Sequence, residues 1–589
     1  MAAMLLPSVF LPPYSHAPKS QSAPHASTAV RAARPAWVLA AYIAIWLATV
    51  CNYPLWRELA QLPGSQGLRP FAFVVAFAVA IAATLVALTS LFAWRRTLKP
   101  MLSLLLITAA AGAYFMLSYG IVIDSTMLTN ALQTDTREAQ DLLNWRMPAA
   151  LLALAGPPLV WLWRKPVVTP RFGRQLLSNA ITLVAALLVA AGALLLFFQD
   201  FSSTMRNHTQ VRYLINPLNS IYALGNIAAK PLRRDTSKIL PMGEDVKLGA
   251  SYTQQQRPPL LVLVVGETGR SGNFGINGYS RNTTPELAAR KDISTALNAW
   301  SCGTNTAASV PCMFSHLDKA AFESRKAEYE NLPDMLQRAG LAVLWVDNQA
   351  GCKGVCTRVP SFNLTSAEAT KAAGCVDECL DTAMLQGLDE RIAALPAAQR
   401  ARGVVVVLHQ MGSHGPAYAK RSAPAQKHFM PECTSNVLQE CSRDQLVHAY
   451  DNSIVETDHF LNSVIKWLEV KEKQADTAMV YVADHGESLG ENGIYLHGMP
   501  YSIAPDVQKH VPWITWLSPA MQARTSITTS CLQKSMRDKR ISHDSYFHSV
   551  LGLLDVQTGL HQPALDLYGE CAASASAAAS PSKKMPLPG

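Results

Sequence analysis

Read as a string of apolar and polar positions, the chain changes character near residue 200. Before that point, apolar residues fall in long runs at about 36–56, 71–94, 101–123, 149–163 and 177–198, separated by short polar stretches. A helix of about 20 residues crosses a hydrocarbon layer of about 30 Å, and four of these runs reach that length. The fourth run, AALLALAGPPLVWLW, is short and carries Pro157 and Pro158. From residue 259 the pattern shortens: brief Val- and Leu-rich runs alternate with helical periodicity. That alternation predicts a mostly parallel sheet wrapped by helices.

Charges between the apolar runs give the topology. Arg31 and Arg34 precede the first, Arg95, Arg96 and Lys99 follow the second, and Arg164, Lys165, Arg171 and Arg174 follow the fourth. These clusters share one side only if all five runs cross the membrane, which places the N-terminus in the cytoplasm and everything after Gln199 outside. Residues 1–30 lack a basic n-region and are interrupted by prolines, so they read as a disordered tail ahead of an uncleaved anchor. Residues 200–232 mix aromatic, basic and aliphatic positions around Pro217. They suit a pair of short amphipathic helices on the membrane surface, with a plain linker as the alternative. The expected organisation is therefore a tail (1–30), a five-helix transmembrane domain (31–199), bridging helices and linker (200–258), a catalytic domain (259–571) and a low-complexity tail (572–589).

The net charge of +9 is modest for 589 residues, and the basic residues are not gathered into aromatic-interleaved stripes. This argues against a nucleic-acid partner and is compatible with an acidic membrane surface. Of 11 cysteines only Cys51 lies in an apolar run; the other ten follow residue 300. Cys302 with Cys312, Cys352 with Cys356, Cys375 with Cys379, and Cys433 with Cys441 are close pairs, leaving Cys531 and Cys571. Disulfides suit an oxidising compartment; a zinc site built from Cys352, Cys356, Cys375 and Cys379 is the rival reading.

Four apolar runs end in chemistry-bearing residues. PLLVLVVGET ends at Glu267, LAVLWVDNQAGCKG passes Asp347 to Lys353, GVVVVLHQMGSHG passes His409 to His414, and AMVYVADHGES ends at Asp484 and His485. In open α/β sheets ligands sit beyond the carboxyl ends of the strands, so these groups are expected to converge. Glu267, Asp484 and His485 form a donor set that suits Zn²⁺ with one open position, provided the chain turns at Gly486. Such an ion would lower the pKa of a nearby hydroxyl and make it a nucleophile. The loop SCGTNTAASVPC offers Thr304, Thr306 and Ser309, held by Cys302, Pro311 and Cys312. Chemistry alone does not rank the three.

Several of these motifs, VVGETGR, SCGTNTAASVPCMFSH, GCKGVC, LHQMGSHGPAY, DNSIVETDHFL and VADHGESLGENGIYLHGMPY, occur in one order. Together they resemble the lipid A phosphoethanolamine transferases, which include the mobile colistin resistance enzymes. The resemblance runs from the first apolar run to about residue 570. It implies an α-helical membrane domain of five transmembrane helices and an α/β periplasmic domain like alkaline phosphatase and the sulfatases. It also implies one tight Zn²⁺ held by Glu267, Thr306, Asp484 and His485, with additional weaker ions, and it selects Thr306 as the nucleophile.

Within the same resemblance, His414 and His497 match histidines near the phosphate and a second, weaker metal position, and Lys353 matches a substrate-binding lysine. Physically, the lysine offsets phosphate charge and the histidines pass protons; a loop-cap role is the bland alternative for His497. Glu487 and Glu491 either orient these histidines or are simply solvated. Asn130, Thr134 and Glu138 lie four residues apart, the spacing of one helix face. The resemblance implies that this face binds the ethanolamine-bearing lipid. One departure is D-N-Q where other members have Asn-Asn ahead of the lysine loop, so Gln349 is expected to alter substrate contact. The implied reaction moves phosphoethanolamine from phosphatidylethanolamine to a lipid A phosphate through a covalent threonine intermediate. The enzyme would act as a monomer in the inner membrane of a bacterium, and masking of phosphate charge would weaken polymyxin binding.

Overall fold

The computed structural model describes residues 33–573 apart from 64, 135, 169, 254 and 377. The expected tails, 1–30 and all but the start of 572–589, lie outside the described residues, as does Arg31. The first apolar run is bent: α1 (Ala36–Thr49) and α2 (Tyr53–Gln61) meet at 43°. Asn52 sits fully buried at the break, donating to the Leu47 carbonyl at 2.8 Å and accepting the Asn216 N–H at 2.9 Å. Pro54 then enters the first turn of α2, where its missing N–H costs nothing. Next come α3 (Leu68–Ser90) and α4 (Leu98–Tyr119), the latter stopped by Gly120 at φ 68.

Two short helices follow, α5 (Ser125–Gln133) and α6 (Thr136–Leu142), before α7 (Arg146–Arg164) and α8 (Phe172–Leu196). Pro158 leaves the Leu154 carbonyl without its helical donor, and the Trp46 indole N–H supplies a bond to it at 2.9 Å. The indole thus replaces the backbone donor that Pro158 removes. Among the described residues, three helices are long and apolar enough to cross a membrane, or four if α1 and α2 form one bent span. Helix α7 is not among them, so the count of five spans is not established by length and apolarity. The stretch expected to hold a pair of bridging helices instead forms four: α9 (Phe198–Asn207), α10 (Gln210–Tyr213), α11 (Leu218–Ala228) and α12 (Lys230–Arg233).

The second half is built on one eight-stranded sheet. Its strands are β1 (Pro259–Gly266), β2 (Ile293–Trp300), β3 (Ala342–Asp347), β4 (Ser361–Asn363), β5 (Val404–His409), β6 (Asp476–Ala483), β7 (His510–Leu517) and β8 (Ile541–Ser542). They lie in the order β8-β2-β7-β6-β1-β5-β3-β4, antiparallel only where β7 meets β2 and β6. Every residue of β1, β3, β5 and β6 is buried, which explains their unbroken apolar pattern. The stretch 235–258 contributes strands of its own: Asp235–Leu240 pairs with Ala327–Tyr329, and Lys247–Leu248 with Val556–Gln557.

Five disulfides join Cys302 to Cys312, Cys352 to Cys356, Cys375 to Cys379, Cys433 to Cys441, and Cys531 to Cys571. Cys352, Cys356, Cys375 and Cys379 are therefore bonded in two pairs and do not form a four-thiolate zinc site.

Candidate active site

Register brings the strand ends level. Val265 of β1 pairs with His409 of β5 and with Val482 of β6, while Asp347 of β3 pairs with His409. The residues that follow, Glu267 after β1 and Asp484 after β6, emerge side by side, and the Asp484 N–H donates to the Gly266 carbonyl at 2.8 Å. Strand β6 ends at Ala483, so Asp484 and His485 lie beyond the pleat and are free of its alternation. Gly486 is needed for closeness rather than for a turn. Its φ is not left-handed, but a Cβ there would lie 2.0 Å from the Val507 carbonyl oxygen.

Helix α13 (Thr306–Met313) begins at this rim, with the Asn305 side chain capping it by accepting the Ala308 N–H at 3.0 Å. The three candidate hydroxyls separate cleanly. Thr304 donates to the Met499 carbonyl at 2.6 Å, and Ser309 donates to the Asp484 carbonyl. Thr306 donates to Glu267 Oε2 at 3.0 Å and lies 3.4 Å from His485 Nε2. All three are buried.

His485 Nδ1 donates to the Gly486 carbonyl at 2.9 Å, which leaves Nε2 as the ring nitrogen that faces the carboxylates. Nε2 is 3.4 Å from Glu267 Oε1 and 3.4 Å from Asp484 Oδ2. Those two carboxylate oxygens are buried without a hydrogen-bond partner. Burial, then the Glu267 carboxylate, push Asp484 up to about 6. Burial would lower the His485 imidazole, but Asp484 and Glu267 outweigh it and push it up to about 10. A site in which two carboxylates must share one proton-hungry imidazole is short of positive charge. Ligand atoms of Glu267, Asp484 and His485 lie within 4.8 Å of one another, and so do those of Glu267, His414 and His497. Both groups can hold a cation, and Glu267 belongs to each.

His497 Nδ1 is bound to Glu487 Oε2 at 3.0 Å, so Glu487 orients this ring. Glu491 forms an ion pair with Arg270 at 2.9 Å instead. His414 is held neutral, burial pushing it down to about 3. Lys353, at φ 49, donates to the Ala350 carbonyl at 2.9 Å and to the Gln133 carbonyl at 3.4 Å.

Asn130, Thr134 and Glu138 do not share one helix face. Helix α5 ends at Gln133, Thr134 is extended, and Glu138 belongs to α6. The sequence supplies the reason: D-T-R-E over 135–138 has the spacing of a fresh helix start. Glu138 is carried onto the catalytic half, where Gln349 Nε2 donates to its Oε1 at 3.0 Å and His414 Nε2 lies 3.8 Å away. Asn130 and Thr134 stay at the end of α5, bonded through the Thr134 hydroxyl to the Asn130 carbonyl at 2.9 Å.

Two supports escaped sequence reasoning. Asp141, one turn beyond Glu138, binds Lys420 at 2.7 Å and Arg421 at 3.1 Å, pinning α6 to the catalytic half. His543, beyond β8, accepts the Cys302 N–H at 3.1 Å and donates to the Ala483 carbonyl at 3.0 Å. It thereby ties the Thr306 loop to the strand that carries Asp484 and His485. Nothing local in ISHDSYF marks that histidine.

Comparison with known proteins agrees in both halves. Residues 81–232 match the family described as Phosphoethanolamine transferase EptA/EptB, and residues 259–556 match the Sulfatase family. Phosphoethanolamine transferase EptA of Escherichia coli K12 is 38% identical, over 91% of this chain and 96% of that protein. Phosphatidylethanolamine transferase Mcr-1 of Escherichia coli is 36% identical, over 90% of this chain and 97% of that protein. The solved integral membrane protein lipooligosaccharide phosphoethanolamine transferase A of Neisseria meningitidis superposes with a TM-score of 0.85. It is 34% identical and covers 91% of this chain and 98% of its own.

Proposed function

This chain belongs to the lipid A phosphoethanolamine transferases, and on that premise we propose that Thr306 is the nucleophile that carries phosphoethanolamine between two lipids. The donor is phosphatidylethanolamine and the acceptor a phosphate of lipid A. The carrying observation is the Thr306 hydroxyl 3.0 Å from Glu267 and 3.4 Å from His485, at a rim whose buried carboxylate oxygens lack partners. Two carboxylates, an imidazole lone pair and a hydroxyl fit Zn²⁺ in a catalytic site with Glu267, Thr306, Asp484 and His485 as the holding residues. Bound there, the ion would supply Lewis acidity that lowers the hydroxyl pKa and offsets phosphate charge. Glu267, His414 and His497 would hold a further, weaker ion.

The chain's own groups do the rest. In the first step a bond forms between Thr306 Oγ1 and phosphorus, and the bond from phosphorus to the diacylglycerol oxygen breaks. The proton lost by Thr306 is the one the diacylglycerol oxygen gains, and its first acceptor is Glu267 Oε2, to which the hydroxyl already donates. In the second step a hydroxyl oxygen of the lipid A phosphate forms a bond to the same phosphorus, the bond from phosphorus to Thr306 Oγ1 breaks, and Oγ1 takes up the proton that the attacking phosphate gives up. Helix α13 begins at Thr306, so the positive end of its dipole lies where negative charge develops. Glu138, held beside His414 by Gln349, is suited to the ethanolamine ammonium, and Lys353 to a phosphate oxygen.

Five disulfides support a catalytic half in an oxidising compartment, the periplasm, on an inner-membrane anchor with a cytoplasmic N-terminus. Masking lipid A phosphates would weaken attraction of cationic peptides such as polymyxins.

Intact-mass analysis after incubation with phosphatidylethanolamine vesicles tests the reading. Wild-type protein is expected to gain one phosphoethanolamine, discharged on adding lipid A, whereas Thr306→Ala gains none. Release of free phosphoethanolamine at one rate with or without lipid A would instead make the protein a hydrolase.

A further inference from the structure

A cavity runs alongside the nucleophile loop, and of the charged side chains that line it the reading above uses Lys353 alone. It measures about 1070 Å³ and lies between α5, α11, α12 and the catalytic half, with Thr304, Asn305 and Ala307 in its lining. That is ample room for a sugar-sized ligand. Eight lysine and arginine side chains line it against four aspartate and glutamate side chains.

The fold assembles this charge from distant segments. Parallel pairing of Asp235–Leu240 with Ala327–Tyr329, started by the Asp235 N–H on the Lys326 carbonyl at 2.9 Å, sets Arg234 beside Arg325 and Lys326. Arg234 and Arg325 share one carboxylate: Glu328 receives the first at 3.1 Å and the second at 3.0 Å. A single acid between two guanidiniums leaves a positive charge over. Lys230, Arg233 and Lys326 are exposed and, among the described residues, pair with no carboxylate. Like charges gathered in a cleft repel one another unless an anion joins them.

The rim is apolar. Tyr222 and Ile239 line the cavity and are 69% and 48% exposed, with Leu232 at 89% next to Arg233. A basic cleft flanked by exposed apolar side chains matches an amphiphile that carries several anionic groups on its head. The donor headgroup does not match, because phosphoethanolamine esters balance one negative charge with one positive.

Resting on the transferase reading, we propose that this cleft is the acceptor subsite, and that Lys230, Arg233 and Lys326 grip the lipid A phosphate that is not being modified. A monophosphorylated acceptor presents nothing to this grip. Selection for acceptors with two phosphates is therefore built into the bridging segment and the strand that pairs with it rather than into the metal-ligand cluster.

The test uses the full chain in phosphatidylethanolamine-containing micelles, with lipid A bearing two phosphates and lipid A bearing one. Wild-type kcat/KM is expected to favour the bisphosphorylated acceptor about tenfold, the size of an effect expected from several exposed charge contacts. In the triple variant Lys230→Gln, Arg233→Gln, Lys326→Gln that preference should vanish through the bisphosphorylated acceptor alone, with adduct formation on Thr306 within twofold of wild type. Added salt should erode the wild-type preference and leave the variant unmoved. The charge-conserving variant Lys230→Arg, Lys326→Arg should keep the preference, which separates charge from folding. A triple variant that retains the preference overturns the proposal, and so does one that loses adduct formation and both transfers equally. If wild-type protein transfers without an adduct on Thr306, the covalent reading fails, yet loss of acceptor preference in the variant still upholds the cleft.

Discussion

Replacing His543 with alanine isolates the link between the Thr306 loop and the strand end that leads to Asp484 and His485. The imidazole is 1% exposed and bonds two backbone groups, the Cys302 N–H at 3.1 Å and the Ala483 carbonyl at 3.0 Å. His543→Ala strands both, at about 1–3 kcal/mol each, and leaves a cavity, so a local loss of about 3–5 kcal/mol is expected. Hydrogen–deuterium exchange of peptides covering 298–313 and 478–487 reads this directly. Protection there should fall at least about tenfold per 1.4 kcal/mol lost, while α14 (Arg443–Lys471) keeps its protection.

The effect carries a pH signature. Burial pushes His543 down to about 3, and its Nδ1 is committed to accepting an N–H, which a protonated ring cannot do. The folded value lies below the ordinary histidine value of about 6.5, so the opened state binds the proton first. The stabilisation is thus fully present above about 6.5 and erodes as the pH falls toward the folded value. Between pH 7 and pH 5 the wild-type advantage over His543→Ala should shrink by about 2 kcal/mol. Equal protection in variant and wild type, or an advantage that is flat across this range, refutes the reasoning.

Chelation should lower the unfolding midpoint of wild-type protein, since an ion at about a hundred times its dissociation constant contributes about 2.7 kcal/mol; in Glu267→Gln, scanning calorimetry should show little further drop. Gln349→Ala removes a buried hydrogen bond to the Glu138 carboxylate. Such bonds contribute about 1.5–3 kcal/mol, so titration of phosphatidylethanolamine should show KM raised about tenfold with a smaller change in kcat. The Cys531–Cys571 bond closes 40 residues, and the chain-entropy relation gives it about 4 kcal/mol. Cys531→Ser with Cys571→Ser should lose most of that in denaturant titration, and full stability in the double variant would count against the bond.

The sequence by itself determined the strands and the chemistry at their ends, because strands buried on both faces must be apolar throughout, and the first polar residue after each run marks the rim. Glu267, Asp347, His409 and Asp484 were legible for that reason, and the hydrophobic runs likewise announced a membrane segment. The rest came from register and packing. Thr306 parted from Thr304 and Ser309 by which carbonyl or carboxylate each hydroxyl meets, and no local pattern encodes that. Glu138 left the face of Asn130 because a helix restarted between them. His543 reached the Thr306 loop through β8, and Lys326 reached Arg234 through a strand pairing across more than ninety residues. Periodicity records which face of an element is dry, whereas register and crossover set which distant groups share a few ångströms, and charge and hydrogen bonding act only over those.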